Sequence, residues 1–275
     1  MSRTLARQLR AIVQLATAPQ SAPRAAMTRA RLIDLLQQDG TVTIQAKGQE
    51  LRLLASRGPH FAAAAAQFRA EEPEMLAWID SFQGGDVFWD IGAAVGMFSM
   101  YAALTPGVQV CAFEPKATSL AVLVEHLALN GMGDRVLPLP VAFSDRSGLT
   151  RLELATLAPG SGGNSVAGVP DQFGHSHSIF SQATLAYRID DFRRDFAMPA
   201  PTHIKIDVDG AEALILRGAP ETLPLVASLM IEVEGLNAAE AATRIEAPLA
   251  ASGLREVMTV RGAGSGRNRL YRRGG

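Results

Sequence analysis

Apolar residues recur along this chain at two alternating spacings. From Asp86 onward, short runs of strand length alternate with stripes at helical spacing. Val87-Phe88-Trp89-Asp90 precedes a helical pattern through Met97, Phe98, Met100, Tyr101 and Leu104. Residues 109–113 precede another from Thr118 to Leu129, whose stripe is Leu120, Leu123, Val124 and Leu127. Val136 to Val141 reads as a third strand. Ile204-Lys205-Ile206-Asp207 is a fourth, followed by Gly210 and a helix, and Leu229-Met230-Ile231-Glu232 is a fifth. This alternation predicts an α/β fold with a doubly wound, mostly parallel sheet and ligands at the carboxyl ends of its strands.

Two regions depart from that rhythm. Thr41-Val42-Thr43-Ile44 and Leu51-Arg52-Leu53-Leu54 flank Lys47-Gly48 and predict a hairpin. An alanine-rich helix from Phe61 to Phe68 follows, and Glu71-Glu72-Pro73-Glu74 opens another through Met75, Leu76, Trp78 and Ile79. Residues 38–80 therefore read as a lead-in to a core domain spanning 81–275. Within that core, residues 149–200 break the alternation, with a strand at 150–154, the loop Pro159-Gly160-Ser161-Gly162-Gly163-Asn164 and an extended stretch near 178–189. A long polar excursion at the ligand end of a sheet reads as a lid or substrate-recognition insert, with an ordinary surface loop as the alternative.

Residues 1–37 form a basic arm. Arg3, Arg7, Arg10, Arg24, Arg29 and Arg31 precede the first acid, Asp34, while Leu5, Leu9, Ile12, Val13 and Ala16 share one helical face. Three readings stand: an arm that frays or packs in a homo-oligomer, docking to a membrane surface or protein partner, or targeting. Gln14 interrupts the apolar core that a secretory signal would need.

Composition narrows the class. The 275 residues are 48% hydrophobic and 19% charged, enough for one substantial folded domain with appendages. A net charge of −1 argues against a general nucleic-acid binder and for a small-molecule or glycan partner. Cys111, the sole cysteine, sits inside a predicted strand, so no disulfide framework or thiolate cluster is expected. No apolar run approaches the ~20 residues of a membrane span, and the expected location is cytoplasmic.

The chemistry concentrates in Asp90-Ile91-Gly92-Ala93-Ala94-Val95-Gly96. A dinucleotide-binding turn reads G-x-G-x-x-G; here Asp90 takes the first glycine's place, and three residues separate Gly92 from Gly96. A carboxylate suits an ammonium group and repels a pyrophosphate, which favours S-adenosylmethionine over a dinucleotide. Val110-Cys111-Ala112-Phe113 then ends in Glu114-Pro115, placing an acid about 20 residues on, where a ribose-binding carboxylate belongs. Asp90 and the Gly92 to Gly96 turn are assigned to the donor's methionine end, Glu114 to its ribose, and Ala142, Phe143 and Ser144 to its adenine.

Taken in order, these residues resemble the FkbM family of S-adenosylmethionine-dependent methyltransferases over roughly residues 70–235 plus the C-terminal strand. The resemblance rests on Glu72-Pro73-Glu74 with Trp78-Ile79, residues 87–93, Phe113-Glu114-Pro115, Leu129-Asn130-Gly131, Ala142-Phe143-Ser144-Asp145, residues 204–212 and a closing strand at 268–272. Its first motif usually carries asparagine where this chain has Ala94, and Asp209 and His126 stand where glutamate and asparagine are commoner. The resemblance implies a seven-stranded class I methyltransferase sheet with an antiparallel C-terminal strand. It also implies O-methylation of a hydroxyl, often on a sugar, polysaccharide precursor, glycolipid or polyketide. Ala93, Phe98, Ser99, Pro115 and Asn130 join the expected donor site.

Methyl transfer to oxygen needs an in-line approach, exclusion of water and a group to receive the acceptor's proton. Asp207 is the first candidate for that base, with donor support as its rival role; Lys205 is a buried counter-charge and Glu232 a second carboxylate facing the same pocket. Asn164, His175 and His177 are candidate acceptor contacts. Asp207, Asp209 and Glu232 offer hard oxygens suited to Mg²⁺, but their spacing is no dedicated metal motif and no metal is assigned. A non-catalytic S-adenosylmethionine-binding protein of regulation or assembly is the alternative function.

Overall fold

The computed structural model describes residues 3–38, 40–166, 174, 178–234, 238, 240–258 and 264–274. Two helices, α1 (Arg3–Thr17) and α2 (Ala22–Gln38), lead to an antiparallel hairpin of β1 (Thr41–Ala46) and β2 (Gln49–Leu54). Its turn residues Lys47 and Gly48 have φ of 48° and 73°, the conformation that matches the right-handed twist of paired strands. After α3 (Pro59–Glu71) and α4 (Pro73–Ile79) comes the central sheet. Pro73 occupies the first turn of α4, where its missing N–H has no helical partner to lose.

The sheet is assembled from β3 (Val87–Ile91), β4 (Gln109–Phe113), β5 (Val136–Leu139), β10 (His203–Ile206), β11 (Ser228–Glu232), β12 (Leu254–Glu256) and β13 (Asn268–Arg273). Their spatial order is β12-β13-β11-β10-β3-β4-β5. β13 runs antiparallel to both β11 and β12, and β11-β10-β3-β4-β5 pair in parallel. The helices α5 (Met97–Ala103), α6 (Ala117–Leu129), α8 (Glu212–Arg217) and α9 (Ala247–Ala251) connect them. This is the seven-stranded arrangement expected from the sequence, with β12 as an additional edge strand that the apolar pattern did not reveal.

Alternate residues of β3 feed two cores. Phe88 packs with Trp78, Phe82, Met100 and the hairpin's Leu51 and Leu53, whereas Trp89 packs with Phe113, Phe143, Phe192 and Ile204. The hairpin is thus fastened to one face of the sheet by shared apolar burial, at about 25 cal/mol per Å² removed from water.

One expectation needs correction. The strand predicted over 136–141 divides at Pro140, which has no N–H to donate to a ladder: Val136–Leu139 stays on the main sheet as β5, while β6 (Val141–Phe143) leaves it. The strand expected at 150–154 and the extended stretch expected near 178–189 both form, as β7 (Gly148–Leu154) and β9 (Phe180–Tyr187). With β8 (Asn164–Val166) they join β6 in a second sheet of order β6-β9-β7-β8, and α7 (Ile189–Asp195) follows.

Candidate active site

The first strand delivers the chain into a turn that has room only for backbone. Gly92 has φ of +79°, and a Cβ there would lie 1.9 Å from the carbonyl oxygen of Asp207. The amides of Gly92 and Ala93 both donate to the Phe113 carbonyl at 3.0 Å. Ala94 follows at φ +50°, a left-handed conformation that is costly for alanine. Its N–H donates to Glu114 Oε2 at 2.8 Å, and Lys116 N–H donates to Glu114 Oε1 at the same distance. Glu114 is thereby braced across the ends of β3 and β4. Burial pushes its carboxyl up to about 7, against the opposing pull of those two amides, Lys116 and Lys205.

Beside it, the register of β3 and β10 sets Asp90 next to Lys205. Lys205 Nζ lies 3.2 Å from Asp90 Oδ1 and 3.2 Å from Asp207 Oδ2, and donates to the Gly92 carbonyl at 3.1 Å. Burial alone would lower this ammonium's pKa, but Asp207, Asp90 and Glu72 outweigh it, so Lys205 is held above the ordinary lysine value and stays charged. Ser99 donates to Asp90 Oδ2 at 2.6 Å. The Asp90 side chain is 1% exposed and that of Asp207 31% exposed, so of the two only Asp207 presents its carboxylate outward.

Around this point lies a cavity of about 230 Å³. Gly92, Ala94, Glu114 and Asp207 give it a polar end; Val141, Phe143, Leu152, Val166 and Ile215 give it an apolar sleeve. Gly160, Ser161, Gly162, Asn164 and Val166 also line it. Lys116 Nζ donates to the carbonyls of Ala158 and Ser161 at 2.8 and 3.2 Å, the Gly160 amide donates to Ser119 Oγ at 3.0 Å, and the Asn164 amide donates to Asp209 Oδ2 at 2.7 Å. An added Cβ at Gly162 would stand 3.0 Å from Asp209 Oδ1, so the loop descends close to the cavity wall. Residues of the 160–166 stretch therefore form part of the cavity wall, held by side chains of the central domain.

At the carboxyl end of β11 a second set of charges gathers. Arg267 Nη1 lies 2.9 Å from Glu232 Oε1, and its Nη2 lies 3.2 Å from Glu72 Oε1. Asn268 Nδ2 donates to Glu72 and Glu74, pinning the start of α4 to β13. Burial first, then Asp207, pushes Glu232 up to about 9 against the pull of Arg267. Burial and Asp207 likewise raise Glu72. Of the carboxylates crowded at this edge, Asp207 is the one that lies 3.2 Å from Lys205 Nζ.

Gly92, Glu114, Pro115, Ala142, Phe143, Asn164 and Asp207 all line the cavity. Several other expected contacts do not. Asp90 and Ser99 are buried beneath the turn, where Lys205 takes the carboxylate that was expected to meet an ammonium. Ala93 and Gly96 shape the turn without facing the cavity, Phe98 packs against Phe68, and Ser144 is buried outside the lining. Asn130 is a docking residue: its Oδ1 accepts the Arg52 amide and its Nδ2 donates to the Arg52 carbonyl, joining α6 to the hairpin. His126 works beside it, accepting the Leu54 amide at Nε2 and so donating from Nδ1 to the Val95 carbonyl. Lys205 and Glu232 lie next to the cavity rather than in its wall. His175 and His177 lie outside the described residues.

The sequence reading overlooked Lys116, Ser119, Leu152 and Val166 in the lining, and Arg267 at the rim. Lys116 alone had a signal, since it directly follows Glu114-Pro115. The metal question changes too: Asp207 is paired with Lys205, Glu232 with Arg267, and Asp209 accepts from Asn164. Among the described residues no group of three or more His, Cys, Asp or Glu could hold a metal ion.

The cavity suits S-adenosylmethionine on its own chemistry. A glycine that tolerates no Cβ brings backbone to the ligand space, a braced carboxylate can accept from vicinal hydroxyls, and an apolar sleeve can cover a purine. Residues 90–257 match the Methyltransferase FkbM domain. The chain is 28% identical over 178 residues to the 31-O-demethyl-FK506 methyltransferase FkbM of Streptomyces tacrolimicus, covering 56% of this chain and 68% of that protein. It is 23% identical over 168 residues to the hexuronic acid methyltransferase AglP of Haloferax volcanii, covering 60% of this chain and 63% of that protein, under two thirds of its length. Among solved structures, Aeropyrum pernix fibrillarin with bound S-adenosyl-L-methionine is 10% identical at a TM-score of 0.45, covering 84% of this chain and 81% of that one. With the matched domain spanning both the glycine turn and the strand that leads to Asp207, the chain belongs to the FkbM family of S-adenosylmethionine-dependent methyltransferases.

Proposed function

We propose that this protein methylates a hydroxyl oxygen on a sugar, glycan, glycolipid or other metabolite acceptor. The observation that carries the reading is the position of Asp207: it directly follows β10, lines the cavity beside Gly92, and is held by Lys205 Nζ at 3.2 Å with its carboxylate partly exposed. Bound in the cavity, S-adenosylmethionine would supply an electrophilic methyl carbon. The chain's own contribution is to hold the donor's ribose at Glu114, cover the site with residues 158–166, and present Asp207 to an incoming hydroxyl. A carboxylate within hydrogen-bond reach orients that hydroxyl and receives its proton as transfer proceeds. Glu72, Glu232 and Arg267 form a charged rim next to Asp207, a surface able to exchange hydrogen bonds with a polyhydroxylated acceptor. The two relatives named above, one carrying O-demethyl and the other hexuronic acid in its name, point the same way.

Asp207 has a second reading, favoured by its ion pair with Lys205: it keeps the donor end of the site in shape and takes no proton. The two separate in one experiment. Formation of S-adenosylhomocysteine is followed with monosaccharides, uronic acids and glycolipids as acceptors, for the wild type and Asp207→Asn. As a base, Asp207 makes the variant lose about 10²- to 10⁴-fold in kcat while donor affinity in calorimetry holds. As donor support, the variant loses donor affinity instead. Donor binding with no methyl transfer to any hydroxyl acceptor would leave the non-catalytic alternative in place of this proposal.

A further inference from the structure

The large apolar side chains that this protein leaves in solvent are concentrated at one end. Among the described residues, eight of the 18 exposed ones lie on α1 and α2: Leu5, Leu9, Ile12, Leu15, Met27, Ile33, Leu35 and Leu36. An accumulation of this kind marks an interaction surface rather than the scatter normal for a folded domain. On α1 the pattern is strongly two-sided. Leu5, Leu9, Ile12 and Ala16 follow one another at helical spacing along one stripe, while Arg7, Arg10 and Gln14 follow one another on the opposite side. Leu9, Ile12 and Leu15 are 49%, 59% and 74% exposed.

The two helices are braced against each other at their corner, where Arg29 Nε donates to the Thr17 hydroxyl at 3.2 Å and Thr17 and Ala25 are buried. They meet the rest of the chain near the short turn at Ala55–Arg57. They therefore stand as a preformed wedge whose apolar side is not consumed by the core.

Charge selects the partner. Residues 1–33 carry six arginines and no acid, whereas the rest of the chain carries 20 basic and 27 acidic side chains. A second copy would bring arginine-rich helices together with no counter-charge before Asp34. An anionic lipid surface supplies both what the stripe needs, an apolar layer, and what the arginines need, phosphate groups. Among the described residues no helix is long and apolar enough to cross a membrane, so the wedge would lie in the interface plane.

We infer that α1 and α2 dock this protein onto the surface of an anionic membrane. The docking uses none of the cavity residues and stands apart from the proposed acceptor chemistry.

The test is co-sedimentation of the full-length protein with vesicles of phosphatidylcholine alone and of an equal mixture of phosphatidylcholine and phosphatidylglycerol. Binding is expected to the mixed vesicles only, and to disappear in about 1 M salt, where the screening length falls to about 3 Å. Removing two charges by Arg7→Gln with Arg10→Gln should weaken partitioning about 25-fold, and Leu9→Asn with Ile12→Asn by more than about tenfold. Both double variants alter exposed positions, so donor affinity in calorimetry should match the wild type. Failure to bind mixed vesicles at low salt would overturn the inference, as would equal binding to both vesicle types. A wild type that ignores vesicles and becomes monomeric on Leu9→Asn with Ile12→Asn would assign the wedge to a second copy instead.

Discussion

Replacing Lys205 by methionine keeps the volume and apolar stem of the side chain while deleting its charge. In the folded protein this ammonium lies 3.2 Å from both the Asp90 and Asp207 carboxylates, and its side chain is 2% exposed. Without it, Asp90 keeps only the Ser99 hydroxyl at 2.6 Å to offset a buried negative charge. Removing one member of a buried ion pair costs about 3–5 kcal/mol, and the partial exposure of Asp207 favours the lower end, about 3 kcal/mol at pH 8. The pH dependence follows from linkage. In the wild type Lys205 is raised above its unfolded value of 10.5, so its contribution is fully present below that pH and is lost only as pH rises through the higher folded value. The deficit in Lys205→Met should therefore be present at pH 6, 7 and 8, all below that value. Urea unfolding of both proteins at those pH values reads this directly. A deficit under about 1 kcal/mol at pH 8 would refute the view that Lys205 holds the site together by charge.

Gly92→Ala should cost about 2–4 kcal/mol in urea unfolding and abolish donor binding in calorimetry, because its Cβ would fall 1.9 Å from the Asp207 carbonyl oxygen. Gly131→Ala, also at positive φ but with nothing within 4 Å, should cost only about 1 kcal/mol; equal losses at the two sites would remove the steric explanation. Donor affinity should weaken about tenfold for each pH unit below 7, since Glu114, with its carboxyl pushed up to about 7, must be ionised to accept from the ribose. A dissociation constant that stays flat from pH 5.5 to 8, or keeps the same slope in Glu114→Gln, would sink that assignment. Ala94→Gly should raise stability by about 1 kcal/mol, because the left-handed φ of +50° costs glycine nothing; a loss in thermal unfolding would show that the methyl group contributes packing instead.

Much of the fold was legible because strands buried on both faces leave continuous apolar runs and helices leave stripes. Val87 to Asp90, residues 109–113, Ile204 to Asp207 and Leu229 to Glu232 all stand close to where that pattern put them. The second sheet was legible only in part: the pattern marked the strands near 150–154 and 178–189, but not β8, nor the pairing with β6, which continues an apolar run that Pro140 divides between two sheets.

The same division holds at the candidate site. The glycine turn, Glu114 and Asp207 were readable because each depends on local constraint: a residue without a Cβ, or an acid at the end of a strand. The partners of those residues were decided only in three dimensions. Asp90 reads in sequence as a ligand for an ammonium group, yet the parallel register of β3 and β10 lays a lysine of this chain beside it. Asn130 reads as part of the donor site, yet the packing of α6 on the hairpin spends its amide on Arg52. Local sequence thus determined which groups stand at the strand ends and where backbone can pass closely. Tertiary structure decided which charges those groups meet, because pairing across strands and helices depends on register and on contacts between residues distant along the chain.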